Sequence, residues 1–203
     1  MITCTKGSLG LTTKGTAERI IEAALQLISE KGYTAATTKT IAELAGVNEV
    51  TLFRHFGNKR GLLKAIVEQF SYYPLLQKEI HQNVTWDLEK DLLNFSLKHF
   101  EFLMSIKDLV MIGFKESIQF PEISEEIANI PLLIKKELCH YFQEMQQRGK
   151  IREVDFEAAA LSLIALNFGH FMSRARLGTM VSDIPTEELL QTSVAIFSRG
   201  LVS

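Results

Sequence analysis

The segment from Thr37 to Phe56 constrains the fold of this chain more than any other, because it predicts two short helices joined by a tight turn. Thr37 and Thr38 are residue types that cap helix N-termini, and an apolar-periodic run follows them. Gly46 can take the left-handed conformation that ends a helix, and Asn48 offers a cap for the next one. This is the pattern of a helix-turn-helix, whose second helix enters the major groove of DNA.

The second helix of this motif is predicted to have one inward side and one outward side. Leu52 and Phe56 lie four residues apart, so they share the inward face. The other side chains are left to meet a major groove, in which short side chains approach base edges and a guanidinium reaches a guanine or a phosphate. These outward residues are Glu49, Val50, Thr51, Arg54 and His55.

Two of the outward side chains have two interpretations each. Glu49 would repel a phosphate, so it either accepts a hydrogen bond from a cytosine amino group or is a helix-start carboxylate favoured by the helix dipole. His55 either donates to a phosphate or packs beside Phe56. The sequence does not choose between these alternatives.

A family resemblance rests on the run from Ala45 to Lys59, which reads AGVNEVTLFRHFGNK. This run resembles the DNA-binding domain of the TetR family of repressors. The resemblance covers about Thr16 to Phe70, and the length of 203 residues fits it as well. It implies double-stranded DNA as a partner, a phosphate contact by Lys59 at the start of the next helix, and an inducer pocket in the remainder of the chain.

The chain departs from the pattern of this family inside the motif. Asn48 stands where Ser is commoner, and Val50 stands where a small residue is usual. Phe53, also on the DNA-binding side, replaces a Tyr whose hydroxyl commonly contacts phosphate, so that contact is not expected here. Contacts with the DNA backbone are expected at the start of the first motif helix, from Thr37, Thr38 and Lys39.

Charge divides the chain into a basic head and an acidic body. Residues 1–66 carry 9 Lys and Arg against 5 Asp and Glu, whereas residues 67–203 carry 13 against 19. The head is therefore +4 and the body −6, which suits binding of phosphates by the head alone. We predict a flexible arm over residues 1–15, a DNA-binding domain over 16–70 that includes the start of a linking helix, and a helical effector-binding and dimerisation domain over 71–203.

Apolar residues recur at helical spacing along the chain, and no strand pattern occurs. The predicted fold class is therefore all-α, with a three-helix DNA-binding domain followed by a larger helical domain. The first helix begins at Thr16 and stops at Gly32, and the linking helix begins at Lys59 and ends or kinks at Pro74. Prolines and glycines, Pro131 among them, separate the predicted helices of the body. These span Trp86–Met104, Asp108–Ile118, Leu132–Arg148, Phe156–Arg176 and Glu187–Leu201.

The body is rich in Phe and Met, and soft or flat side chains of this kind line adaptable apolar cavities. Polar groups inside apolar runs, such as His99 and Asn167, are candidates to orient a ligand, although a hydrogen-bonded core residue is the plainer explanation. Together with the inducer pocket that the resemblance implies, this predicts a small-molecule effector. The candidate lining is Phe95, His99, Phe102, Met111, Phe114, Phe142, Met145, Asn167 and Phe171.

The helix predicted over 156–176 is apolar nearly all round, so it must be covered on two sides. Its larger side chains, Leu161, Ile164, Phe168 and Phe171, suit the core of the body, and its small ones suit close approach of a second copy, although the two stripes could be reversed. A homodimer through a two-fold four-helix arrangement is therefore predicted. The candidate interface is Ser162, Ala165, Gly169, Ser173, Leu190, Val194 and Phe197.

Several function classes are excluded by the motifs that the chain lacks. No catalytic, nucleotide-binding or zinc motif occurs, and Cys4 and Cys139 lie far apart, so neither an enzyme, a cofactor nor a metal site is predicted. The longest apolar run, residues 158–172, is shorter than the roughly 20 residues that a bilayer requires. No membrane partner is predicted, and a cytoplasmic protein is expected.

The hypothesis that fits all of these features is a transcriptional repressor that a small apolar effector releases from a palindromic operator. One alternative is a DNA-bound architectural protein that recruits a partner through its acidic body without a ligand. A second, less favoured alternative is a helical enzyme or carrier with a vestigial head.

Overall fold

The computed structural model of the protein describes residues 15–69 and 83–202, which form helices joined by short connections. No strand occurs within these ranges, and the predicted all-α fold is confirmed. The helices are α1 (Thr16–Ala35), α2 (Thr38–Leu44), α3 (Glu49–Phe56), α4 (Lys59–Gln69), α5 (Leu88–Ser105), α6 (Lys107–Ser117), α7 (Pro121–Gln147), α8 (Phe156–Leu177) and α9 (Thr186–Leu201).

The described residues fall into two compact units, and the division lies between Ile66 and Val67, inside α4. The predicted amino-terminal arm, apart from Gly15, and the predicted end of the linking helix at Pro74 lie outside the described residues. No helix in the described ranges is both long enough and apolar enough to cross a membrane.

In the first unit, the starts of α2 and α3 are fixed by the residue before each helix. The side chain of that residue accepts a hydrogen bond from a backbone amide of the first turn. The Thr37 side chain accepts a hydrogen bond from the backbone N–H of Thr40 (3.2 Å), and the Asn48 side chain accepts one from Val50 (2.9 Å). Gly46 has a φ of 65°, the left-handed conformation that the turn requires. The buried side chains of this unit include Ile20, Ala24, Ile41, Leu52, Leu62 and Ile66.

Two helix boundaries of the prediction differ from the structure in detail. α1 loses helical geometry at Gly32 (φ 81°), as predicted, but the chain resumes a helical turn as far as Ala35. The prediction that Pro131 separates two elements is wrong, because α7 begins at Pro121 and runs through Pro131. Pro121 costs no hydrogen bond, because it stands at the first helical position. Pro131 removes one hydrogen bond inside the helix, and burial of the Ile123 and Ile134 side chains on both sides of it outweighs this loss.

The core of the body lies between α5, α7, α8 and α9, whose inward faces supply nearly all of its buried side chains. α6 differs from the others, since none of its eleven residues is buried. It contacts α7 through Gly113, where an added Cβ would lie 3.0 Å from the Ile127 side chain. The buried cluster contains Leu88, Leu92, Phe95, Ile134, Leu138, Tyr141, Phe142, Met145, Ile151, Ala159, Ala160, Leu163, Ile164, Val194 and Leu201.

Asp91 organises the entry to α5. Its carboxylate accepts hydrogen bonds from the backbone N–H and the hydroxyl of Thr85 (2.9 and 2.6 Å), from the backbone N–H of Trp86 (2.9 Å) and from the Tyr141 hydroxyl (3.0 Å). Trp86 has a φ of 62°, a conformation that is costly for a bulky residue. The Arg148 guanidinium lies 3.5 Å from the centroid of the Trp86 ring. Asp91 and Arg148 together therefore hold this turn against its backbone strain and link it to α7.

Candidate functional site

The outward side of α3 combines exposed apolar side chains with cationic or titratable ones. Leu52 is completely buried, whereas Val50 is 71% and Phe53 43% exposed. Arg54 and His55 are exposed as well, and the His55 ring lies 5.9 Å from the Phe56 ring. Folding of the first unit therefore uses one face of α3 and leaves the other without a packing role.

Glu49 does not point outward with these residues. The Thr38 hydroxyl donates a hydrogen bond of 2.6 Å to the Glu49 carboxylate, in a partly buried setting. The bond joins the first residue of α2 to the first residue of α3, and the sequence interpretation of Glu49 did not include it. Sequence periodicity carries no signal for a pair that meets across a turn.

The other predicted residues of the motif lie around this face. Thr37, Lys39 and Asn48 are exposed, and Thr37 and Asn48 act as helix caps. Thr51 is half-buried, and its backbone N–H donates to the Asn48 carbonyl (2.8 Å).

Lys59 contacts protein groups at the end of α1. Its ammonium donates to the Tyr33 carbonyl and lies 3.9 Å from the centroid of the Tyr33 ring. Tyr33 follows the helix break at Gly32, so the lysine ties α4 to the point where α1 loses its helical geometry. The sequence resemblance gave no indication of this contact.

Polar side chains are buried in the core of the body. Asn167 on α8 is 1% exposed, and neither atom of its amide has a hydrogen-bond partner among the described residues. The buried hydroxyls of Ser96 on α5 and Ser198 on α9 also lack such a partner in the described part of the chain. A buried donor or acceptor that stays unsatisfied costs about 1–3 kcal/mol, so these groups are not explained by packing.

His99 is buried on the same inward face of α5 as Ser96. Its ring stacks on that of Phe95 at a centroid distance of 5.4 Å. Burial lowers the pKa of His99 to about 4, so the imidazole is neutral at pH 7. The ring therefore brings no positive charge into the core.

The predicted pocket residues occupy different environments. Phe95, Phe142 and Met145 belong to one buried cluster, and Phe171 is completely buried too. Phe102 and Met111 are half-buried. Phe114 is 40% exposed, and its ring lies 5.4 Å from that of Phe168.

A small surface cleft, open to solvent, lies beside the Asp91 turn. Of the predicted pocket residues, Phe95 alone is in its lining. The full lining is Asn83, Val84, Asp91, Leu92, Asn94, Phe95, Leu138 and Tyr141.

The predicted dimer residues also differ from one another in exposure to solvent. On α8, the small residues Ser162, Ala165 and Gly169 are exposed. Leu161, which was assigned to the core, is 46% exposed on the same side of the helix. Further along, Ser173 is half-buried.

On α9 the prediction requires correction. Leu190 and Val194 are completely buried within the protomer, so they have no surface to offer to a second copy. Phe197 is half-buried and packs near the Phe142 ring (6.4 Å). The exposed apolar side chain of this helix is Ile196 (67%), which periodicity alone did not distinguish from its buried neighbours.

Comparison with known proteins identifies the family. The family model described as bacterial regulatory proteins, tetR family, matches residues 20–66, and the model described as AefR-like transcriptional repressor, C-terminal domain, matches residues 91–200. The chain belongs to the TetR family. It is a helix-turn-helix transcriptional regulator and not an enzyme.

Relatives of this TetR-family regulator align along nearly its whole length. The HTH-type transcriptional regulator YvkB of Bacillus subtilis is 37% identical over 186 residues, covering 92% of this chain and 97% of YvkB. Salmonella enterica GusR superposes with a TM-score of 0.71 at 25% identity, covering 95% of this chain and 98% of GusR. FadR from B. subtilis, in complex with stearoyl-CoA, superposes with a TM-score of 0.66 at 25% identity, covering 91% and 98%.

The buried His99 predicts a specific dependence of stability on pH. The unfolded chain takes up this proton near pKa 6.5, whereas the folded chain takes it up only near pH 4. Protons therefore favour the unfolded state as the pH falls through this window, and lowering the pH from 7 to 5 should reduce the free energy of unfolding by about 2 kcal/mol.

Urea unfolding at several pH values measures this effect. His99→Gln, which is uncharged at every pH, should lose that part of the dependence and keep the contributions of all other groups. Equal pH dependence of the two proteins would contradict a neutral, buried His99.

Proposed function

We propose that this TetR-family regulator is a dimeric repressor that binds a palindromic operator and is released from it by a small, mostly apolar effector. It acts in the cytoplasm, where its operator lies. The mechanism is linkage. An effector that favours a body conformation in which the two heads no longer match the half-site spacing weakens DNA binding by the same factor by which DNA weakens effector binding.

The observation that carries this proposal is the outward face of α3. Val50 and Phe53 are exposed although an apolar side chain gains nothing from contact with water. The major groove offers such side chains an apolar partner in the C5-methyl group of thymine, and Arg54 beside them can donate to guanine. We therefore expect half-sites that present thymine methyl groups and a guanine to this face.

Contacts with the phosphates are assigned to the residues around this face. Thr37, Lys39 and His55 are exposed, and each carries a group that can donate to a phosphate oxygen. The Lys59 ammonium has three hydrogens, so its bond to the Tyr33 carbonyl does not prevent a second bond to phosphate.

The effector site is assigned to the interior of the body around Asn167. A ligand group that both donates and accepts would satisfy its buried carboxamide and recover the cost of burying it unpaired. The many Phe and Met side chains of the body favour a ligand that is otherwise apolar. The complex of FadR with stearoyl-CoA supports a ligand with a long apolar part in this fold. The proposed lining remains Phe95, His99, Phe102, Met111, Phe114, Phe142, Met145, Asn167 and Phe171.

The surface assigned to the second copy is the exposed side of α8. Its small side chains allow close approach of a symmetry-related helix, and Leu161 adds apolar area beside them. From α9, Ile196 takes the place of Leu190 and Val194 in the proposed contact, because its side chain is exposed. The small residues are Ser162, Ala165 and Gly169.

Operator selection from random double-stranded DNA tests the DNA half of the proposal. The selected sites should be palindromic, with two half-sites one helical turn or a multiple of it apart.

Lys59→Ala should weaken binding to all sequences alike, and it should reduce the slope of log affinity against log salt by about 2 for the dimer. A folded Lys59→Ala protein with an unchanged slope would rule this lysine out as a phosphate contact.

A panel of hydrophobic and aromatic compounds tests the effector half. A cognate compound should release the selected operator, and at 100 times its dissociation constant it should stabilise the protein by about 2.7 kcal/mol per site. Asn167→Leu should raise the free energy of unfolding of the ligand-free protein by about 1–3 kcal/mol, keep operator binding, and lose the response to the compound. If no compound stabilises or releases the wild type, the ligand-independent architectural alternative is favoured.

Ala165→Arg tests the dimer surface, because it places an unpaired charge in the proposed contact. The variant should be monomeric at micromolar concentration, and it should bind a full operator much more weakly while it retains binding to a single half-site. Sedimentation measures the first effect. Ala128→Arg, at an exposed position of α7, is the matched control and should stay dimeric. A folded Ala165→Arg protein that also stays dimeric would remove this side of α8 from the interface.

A further inference from the structure

The contact between Thr38 and Glu49 is unusual for its position. α2 and α3 each begin at one of these two residues, which are eleven positions apart, and their side chains meet at 2.6 Å. The other bonds of this turn are local, such as those from the Val47 N–H to the Ala42 carbonyl (3.0 Å) and from the Val50 N–H to the Asn48 side chain (2.9 Å). A side-chain bond between the two helix starts therefore limits how far α3 can rotate against α2.

The charge of Glu49 also favours a structural role for this side chain over contact with DNA. A carboxylate on a DNA-binding surface is repelled by every phosphate of the backbone, so it lowers affinity for all sequences unless it has a specific partner. A hydroxyl that donates to an ionised carboxylate forms a short and comparatively strong bond, with a typical length of 2.5–2.7 Å. The distance between Thr38 and Glu49 falls in this range.

We propose that Glu49 is a positioning residue, which fixes the angle of the recognition helix through Thr38 and does not read a base. This inference rests on the proposed DNA-binding function and deepens it. The Thr38 hydroxyl hydrogen is used in this bond rather than on a phosphate. Base recognition then falls to the exposed neighbours of Glu49, which are Val50, Phe53 and Arg54.

Four substitutions separate positioning from base reading. Thr38→Val removes the donor with almost no change of shape, and Thr38→Ser keeps it. Glu49→Gln keeps an acceptor oxygen for Thr38 and removes the charge, and Glu49→Ala removes both. Glu43→Gln is the control for loss of one carboxylate, since Glu43 is exposed on α2. Operator selection, together with affinity for the selected operator and for random DNA, is measured for each variant, and thermal unfolding checks that each one folds.

Glu49→Gln should retain the base preferences of the wild type at every operator position, as Glu43→Gln does. Thr38→Val should bind the selected operator about tenfold more weakly than the wild type, a loss typical of a hydrogen bond to a charged group, and should change little on random DNA. Glu49→Ala should show a similar loss on the selected operator when it is compared with Glu43→Gln, and on random DNA it should change no more than Glu43→Gln does. Thr38→Ser should restore wild-type affinity. This pattern supports positioning, because a merely destabilised head would weaken both kinds of DNA.

The inference is overturned by either of two results. One is a changed preference at a single base position in Glu49→Gln, which would place the side chain on a base. The other is a folded Thr38→Val protein with wild-type affinity and preference. Should Thr38→Val fail to fold, the base preferences of Glu49→Gln decide the question alone. A wild type that binds no DNA overturns the proposed function together with this inference, whereas wild-type binding with an unaffected Thr38→Val overturns this inference only.

Discussion

Burial of Leu52 is the interaction on which the DNA-binding surface depends. It is the completely buried side chain of α3, a helix of eight residues that is too short to be stable alone. The Asn48 cap and the bond from Thr38 to Glu49 assist it at the helix start. These few contacts use one face and the start of α3. The side chains on its outward face therefore stay available for another molecule.

The core of the body differs from that of the head. Its four helices bury their apolar faces together with polar groups that form no hydrogen bond with the described protein atoms. Asn167 and Ser198 would be replaced by apolar residues if stability were the sole requirement. Places where a sequence departs from local rules without structural compensation are commonly functional. Within the described residues, the buried groups Ser96, Asn167 and Ser198, which have no hydrogen-bond partner there, all lie in the body, the unit to which the proposed effector site is assigned.

The sequence predicted most accurately what is decided within a few residues. The caps at Thr37 and Asn48, the turn at Gly46 and the break at Gly32 all follow from side-chain and backbone chemistry of the local segment. The exposed side of α3 also followed from helical periodicity, with the exceptions of Glu49 and the half-buried Thr51.

Features that depend on distant neighbours could not be predicted in the same way. Pro131 stays inside a helix because the buried surface of α7 outweighs its local cost. Val194 and Ile196 have similar side chains on one helix, and which of them faces the core is decided by where α9 packs against α5. The contact of Lys59 with Tyr33 likewise joins residues 26 positions apart. These outcomes are properties of the assembled fold, and no short segment encodes them.

The absence of any buried side chain in α6 has a consequence for the dynamics of the body. Opening a helix locally costs the burial that the opening removes, and α6 has the least burial to lose among the helices described in this unit. Its amide hydrogens should therefore exchange with solvent ahead of those in α5 and α8. Phe114 of α6 packs against Phe168 of α8, so local opening of α6 would expose this part of α8 to solvent without unfolding of the whole body.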